Sequence, residues 1–206
     1  MDGECTNCGE VGNWCRCSEA DMPKVLDFYI HNGTDPFGRT LNDLINLTDH
    51  QLEGSHDVIQ WMFPLHEASN FNEDAPLIDA ASRAILSKSE VAQENMFAAC
   101  LRFAAFLGFK FGIAPKTESN GPYDGWFVPA ENYTERCKNW RTKHNHNNLR
   151  ITRVIRSLRL FDMEFLAWAF HKAVLSAAVD AGSASDTTRR YWFAALSEDV
   201  MKSLRF

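Results

Sequence analysis

An apolar pattern in the middle of the chain limits the folds that this sequence can adopt. Over residues 91–106, apolar side chains point to almost every side of a helix, and Arg102 is the one charged residue in the second half. A helix that is apolar all round must be surrounded by other elements, and this one falls short of the roughly 18 uninterrupted apolar residues of a membrane span. The pattern predicts a buried central helix that begins at Ser87 or Ser89 and ends at Gly108.

Shorter segments with helical periodicity lie on both sides of it. With 206 residues, 45% of them hydrophobic and 23% charged, the chain can bury one substantial core. No segment shows the alternation of a strand, and residues 116–129 have the Gly and Pro content of a loop. The sequence therefore predicts an all-α fold: a single multi-helix globular domain over residues 23–206. The expected helix starts are Thr40 with Asp43 as a capping box, Ser55, Asn147 or Asn148, Asp162, and Ser185 or Asp186.

Four cysteines crowd into the first residues of the chain. Cys5, Cys8, Cys15 and Cys17 form the pattern C-x2-C-x6-C-x-C, which is typical of a small tetrahedral zinc site. Residues 1–20 are therefore expected to form a zinc-knuckle-like appendage with a structural zinc ion; disulfides, free thiols and a redox dithiol are the alternatives. The first residues lack the features of a secretory signal, and no apolar run is long enough to span a membrane, so a cytoplasmic protein is expected.

Positive charge is concentrated in one segment. The formal net charge is −6, yet residues 136–160 contain eight Lys and Arg and no Asp or Glu. Residues 1–135 carry 8 basic and 21 acidic side chains, a net charge of −13. An acidic chain of this kind is a poor nucleic-acid binder as a whole, so a nucleic-acid partner is not expected. The local charge predicts an anionic partner of small size.

Two segments resemble the conserved region of the opioid growth factor receptor family. The first is residues 56–65, HDVIQWMFPL; the second comprises Asn132-Tyr133 and residues 146–158, HNNLRITRVIRSL. The resemblance extends from about residue 23 to the end of the chain. It implies a helical domain and, in the animal members, a receptor that binds an opioid peptide at the nuclear envelope. The Cys-rich N-terminus departs from the family pattern.

The first of these segments offers polar groups beside apolar surface. If residues 56–64 form a helix, His56 and Gln60 lie one turn apart on one face, with Trp61 beside them. A donor and an acceptor next to large apolar side chains are typical of a small-ligand pocket. The alternative is structural: His56 and Gln60 could satisfy buried backbone groups, and Trp61 could belong to the core.

The second segment combines a helix start with arginines. Asn147 and Asn148 are expected at the N-terminus, where free N–H groups and the helix dipole favour an anion. Arg150 and Arg153 follow on one flank of the apolar face, and guanidinium groups bind phosphate or carboxylate in a bidentate way. Arg156 and Arg159 are expected in solvent. The alternative is that these arginines pair with the acidic remainder of the chain.

Together these features predict a binding module more than an enzyme. We expect an anionic small molecule, nucleotide-like or phosphate-bearing, in a pocket formed by the two segments. The alternatives are a receptor-like module that binds a peptide or protein, and, less favoured, an enzyme that acts on a phosphorylated small molecule. No P-loop, nucleophile elbow or dinucleotide-binding motif is present in the sequence.

Overall fold

The computed structural model describes residues 22–69, 72–113 and 125–197. The described part contains ten helices and one two-stranded sheet, which confirms the prediction of a predominantly all-α fold. The elements are α1 (Lys24–Ile30), α2 (Leu41–Ile45), α3 (Asp49–Gly54), α4 (Val58–Met62), α5 (Ala80–Leu86), α6 (Glu90–Phe106), β1 (Phe109–Ile113), β2 (Gly125–Pro129), α7 (Tyr133–Trp140), α8 (Asn147–Leu160), α9 (Glu164–Asp180) and α10 (Asp186–Ser197).

Helix α6 is the predicted central helix, and both of its predicted ends are confirmed. The Ser89 side chain accepts a hydrogen bond from the backbone N–H of Ala92 at 3.2 Å and caps the first turn. After the last turn, Gly108 adopts a φ of 94°, a left-handed conformation that favours glycine. The indole of Trp140 then donates to the carbonyl of Leu107 at 2.9 Å, which ties α7 to the end of α6.

The hairpin after α6 differs from the prediction of a loop over residues 116–129 and of no strand in the chain. Strands β1 and β2 pair antiparallel, with Phe109 opposite Pro129 and Phe111 opposite Phe127. Phe127 packs edge-on against Phe170 of α9, with ring centroids 5.7 Å apart. The prediction was wrong because β1 continues the apolar run of α6 without a gap. Its short alternation, buried Phe109 next to exposed Lys110, is hidden in that run.

Several predicted caps are confirmed, and two helix starts are corrected. Thr40 and Asp43 form a capping box on α2, and the Ser185 hydroxyl accepts from the backbone N–H of Thr188 in α10. Ser55, however, lies at the C-terminal end of α3 rather than at the start of the next helix. Helix α4 therefore begins at Val58 and has no side-chain cap. The expected helix at Asp162 begins two residues later, at Glu164.

Helix α8 presents its apolar face to the core as predicted. Ile151, Val154, Ile155 and Leu158 are all buried. The helix begins at Asn147, and it is the Asn145 side chain that accepts from the backbone N–H of Asn147, at 2.9 Å. Neither Asn147 nor Asn148 is the capping residue, because His146 occupies that position. Helices α3 and α4 lie against one flank of α8, the flank from which Arg150 and Arg153 reach them.

Candidate functional site

A groove lies between the two sequence segments singled out above. Its volume is about 470 Å³, within the usual range of ligand pockets. One wall comes from α4 and the turns on either side of it, and the other comes from α8. The lining residues are His56, Ile59, Gln60, Leu65, Glu67, Ala68, Ser69, His146, Leu149, Arg150, Thr152, Arg153 and Arg156.

The groove brings together four of the seven residues predicted to bind a ligand. His56, Gln60, Arg150 and Arg153 line it, although they come from positions almost 100 residues apart in the chain. His56 precedes α4, so it does not share a helical turn with Gln60 as predicted, yet both side chains border the same space.

The other three predicted residues lie outside the groove. Trp61 is buried in the core, where it contacts Phe28 edge-on with ring centroids 4.9 Å apart. Asn147 is fully buried, and its amide bridges Arg150 and Glu53 at 3.3 and 3.4 Å. Asn148 contributes its backbone carbonyl, which accepts from the Trp192 indole at 3.1 Å.

Arg150 forms hydrogen bonds with backbone carbonyls. The residue is only 7% exposed, and its Nη1 donates to the carbonyl of Leu52 at 3.0 Å. Nη2 donates to the carbonyls of Glu53 and Ser55, both at 3.2 Å. The last carbonyls of a helix have no partner within the helix, so Arg150 satisfies the C-terminal end of α3. Burial lowers the pKa of Arg150.

Arg153 is placed differently, one turn along α8. Its Nη1 donates to the carbonyl of Phe63, the residue that ends α4, at 3.0 Å. It forms no salt bridge with any carboxylate in the described part of the chain. Burial, followed by the neighbouring Arg156, lowers the pKa of Arg153 to about 10, and the more weakly acting Glu67 carboxylate opposes this change. The side chain is therefore a poorly compensated positive charge at the groove wall.

At the outer edge of the groove, Arg156 is paired rather than in solvent alone. Its two terminal nitrogens donate to the two carboxylate oxygens of Glu67, at 3.0 and 2.8 Å. The hydrogen bond from Arg156 is the main reason why the pKa of Glu67 is lowered. This pair follows the alternative interpretation of the basic segment, in which arginines pair with acidic residues. Three arginines and one carboxylate thus border the groove.

Two histidines stand at the end of the groove nearest α3. The rings of His56 and His146 are 6.4 Å apart, centroid to centroid, and His146 Nε2 lies 3.2 Å from a carboxylate oxygen of Glu53. Burial and the nearby Arg150 lower the pKa of His146. The neutral form of the His146 imidazole is thereby favoured.

Several lining residues were not predicted although a signal for them was present. Leu149, Thr152 and Arg156 follow one another at spacings of three and four on α8, so they form a stripe beside Arg153 that faces the groove. The residues after α4, from Leu65 to Ser69, had no such signal, because their position depends on the turn that follows the helix.

A larger groove of about 620 Å³ lies between α1 and α5, but its lining is mainly apolar. Its walls come from Leu26, Ile30, Ala84 and Ile85, with His31, Lys88 and Ser89 as polar neighbours. Its described lining lacks the convergent polar groups that fix a ligand in place. The groove along α8 is therefore the stronger candidate site.

The zinc prediction is not tested by the described residues. The four cysteines lie outside the described residues, so the expected zinc-knuckle segment stays a prediction. Among the residues that the structure describes, no three His, Cys, Asp or Glu side chains are grouped as a metal site would require. The described helices are also all too short or too polar to cross a bilayer.

Comparison with known proteins gives one consistent result. The family described as "Opioid growth factor receptor (OGFr) conserved region" matches residues 18–195. Proteins named "Opioid growth factor receptor" are similar to 63% of this chain: 36% identity over 134 residues in Homo sapiens, and 34% over 132 residues in Rattus norvegicus. These stretches cover 18% and 21% of the relatives' own length, so the chain spans about a fifth of each. No solved structure matches. The chain belongs to the opioid growth factor receptor conserved-region family.

Proposed function

We propose that this chain is a binding module whose groove between α4 and α8 holds an anionic small molecule. The observation on which the proposal rests is Arg153, a half-buried guanidinium that donates to a backbone carbonyl and forms no salt bridge with a carboxylate among the described residues. A buried charge is unfavourable unless an opposite charge or several hydrogen bonds compensate it. A carboxylate or phosphate in the groove would supply that compensation.

The neighbouring charges support the same proposal. Arg150, Arg153 and Arg156 outnumber the single carboxylate, Glu67, along the walls. Because Arg150 is occupied by carbonyl oxygens and Arg156 by Glu67, Arg153 is the guanidinium best placed to contact a ligand directly. The other two contribute positive potential at short range. Phosphate-bearing and nucleotide-like molecules are the first class to be tested.

A peptide is the second candidate, and two observations favour it. The similar proteins are named as receptors for an opioid growth factor. In this chain the groove has an apolar side as well as a charged one, because Leu149 is 70% exposed at its edge. Exposed leucine beside a cationic groove would contact an apolar residue of a bound peptide.

The test is a thermal-shift and calorimetry screen of the full chain against phosphates, nucleotides, carboxylates and short peptides. Ligand at about 100 times its dissociation constant stabilises the fold by ~2.7 kcal/mol, so a binder should raise the melting temperature by several degrees. Arg153→Gln should abolish the shift, because it removes the charge.

The matched control is Arg190→Gln on the exposed side of α10, which should respond like the unchanged chain. The proposal fails if no anion shifts the melting temperature, or if Arg153→Gln binds as tightly as the parent.

A further inference from the structure

A polar atom at the groove wall has no hydrogen-bond partner among the described residues. Gln60 is 8% exposed, and its Oε1 is buried without a hydrogen-bond partner among the described residues. A buried polar atom without a partner destabilises the fold, because it has lost its hydrogen bonds to water. Such atoms are rare in folded proteins, and each one calls for an explanation. Since Gln60 lines the groove, a ligand is a natural source of the missing hydrogen bond.

The positions of Gln60 and Arg153 set the shape of that ligand. Arg153 is anchored on the carbonyl of Phe63, three residues after Gln60 along α4 and its C-cap. Both side chains therefore border the same groove at the last turn of α4. The anionic group at Arg153 and the hydrogen-bonding group at Gln60 must therefore be close together in the ligand.

We infer, on the basis of the proposed function, that the groove recognises a carboxylate that adjoins an amide, the chemistry shared by N-acyl amino acids and free peptide C-termini. An amide side chain presents an acceptor and a donor, which match the N–H and C=O of a peptide unit. A single carbon atom joins this peptide unit to the terminal carboxylate, so the two groups are closer than the ~3.8 Å between successive Cα atoms. In a nucleotide, a whole sugar separates the phosphate from the base.

The charge and apolar surface of the groove agree with this class. The Glu67 carboxylate is held ionised by Arg156 at the groove edge, so it disfavours a doubly charged phosphate more than a singly charged carboxylate. Ile59, Leu65 and Leu149 supply apolar contacts in the same groove. The residue that bears the carboxylate should therefore have an apolar side chain.

The experiment uses N-acetyl-leucine and two analogues with the full chain. The ester analogue, 2-acetoxy-4-methylpentanoic acid, replaces the amide N–H by oxygen; N-acetyl-leucinamide removes the charge. Calorimetry should show that N-acetyl-leucine binds about tenfold more tightly than the ester, the effect of one lost hydrogen bond. The difference in affinity between N-acetyl-leucine and the uncharged N-acetyl-leucinamide should be larger still. Gln60→Met should bind N-acetyl-leucine and the ester equally, while it still discriminates against the uncharged amide.

Folding of the variant can be checked independently. Methionine has a volume similar to that of glutamine and removes the unpartnered oxygen, so Gln60→Met should melt at or above the temperature of the parent. Acetyl-Ala-Ala-Leu distinguishes the two sources of the ligand: tighter binding than N-acetyl-leucine indicates a peptide end, and equal binding indicates an acyl amino acid.

The outcomes separate this inference from the proposed function. If phosphates bind through Arg153 and N-acetyl-leucine does not, the inference is overturned while the anion-binding groove stands. If Gln60→Met still prefers N-acetyl-leucine to the ester, recognition of the amide by Gln60 is excluded. If no anion binds at all, the proposed function itself fails.

Discussion

At the scale of single residues, two arginines one helical turn apart on α8 do different things. Arg150 is surrounded by three backbone carbonyls at the end of α3 and by the Asn147 side chain. Arg153 meets one carbonyl at the end of α4 and borders open space. In the sequence they are equivalent, since both lie on the same flank of the apolar face. What lies opposite each of them in the fold makes the difference.

Arg150 should therefore matter for stability. Arg150→Met leaves the carbonyls of Leu52, Glu53 and Ser55 without their donors in a buried place, so we expect the free energy of unfolding to fall by about 3 kcal/mol. Arg150→Lys should recover part of the loss, because a single ammonium cannot reach all of these acceptors. Urea unfolding followed by circular dichroism measures both variants.

Arg190→Met, at an exposed position on α10, provides the matched control and should change the free energy of unfolding by less than about 0.5 kcal/mol. A similarly small effect of Arg150→Met would contradict the structural role of this arginine.

At the scale of elements, local chemistry determined where several of the helices begin or end. Thr40 with Asp43, Ser89, Ser185 and Gly108 all do what their residue types predict, because a cap depends on atoms within a few residues. The hairpin β1–β2 is different. Its strands are stabilised by pairing across 11 intervening residues and by packing on α9, and such nonlocal contacts leave little trace in a short window of sequence.

Gly108 offers a test at this scale, at the junction of α6 and β1. Its φ of 94° is unfavourable for any other residue, and a Cβ there would lie 3.0 Å from the Tyr133 Cα and the Arg136 Cβ. Gly108→Ala should lower the free energy of unfolding by about 2 kcal/mol. Thermal and urea unfolding give the value.

Gly54→Ala is the comparison for this prediction. A Cβ at Gly54 has nothing within 4 Å, and alanine favours the helix, so stability should stay the same or increase slightly. If Gly108→Ala proves as well tolerated as Gly54→Ala, the tight junction is not a constraint on this fold.

At the scale of the whole molecule, the basic segment is distributed rather than collected into one patch. Arg136 lies 3.3 Å from Asp49, Arg156 pairs with Glu67, and Arg150 faces carbonyls. Much of the positive charge thus joins α7 and α8 to the acidic first half of the chain. Of the remaining charge, Arg153 borders the groove, while Lys138 and Lys143 are exposed outside it.

The stability of the whole chain should depend on pH through one buried histidine, His171. Burial lowers the pKa of His171, which is 4% exposed and whose Nε2 has no hydrogen-bond partner among the described residues. The unfolded chain then takes up a proton near the usual pKa of about 6.5, before the folded chain does. The contribution of neutral His171 to the free energy of unfolding is therefore fully present above this pH and decreases as the pH falls through it.

The measurement compares unfolding free energies at neutral and mildly acidic pH. His171→Gln removes the titrating group, so the difference between the two conditions should shrink. His50→Gln, at an exposed position on α3, should retain the full pH dependence of the parent. An unchanged difference in His171→Gln would exclude His171 as the source.

The sequence by itself determined the helical character of this protein, the ends of its central helix and the two segments that border the groove. These follow from periodicity, caps and charge, which are properties of neighbouring residues. Only the tertiary structure decided which polar groups are occupied: Trp61 and Asn147 are buried in the core, Arg150 caps α3, and Gln60 and Arg153 face the groove. The physical reason is that a hydrogen-bonding group is satisfied or left open by what the fold brings opposite it, and in this chain those partners lie some 90 residues away.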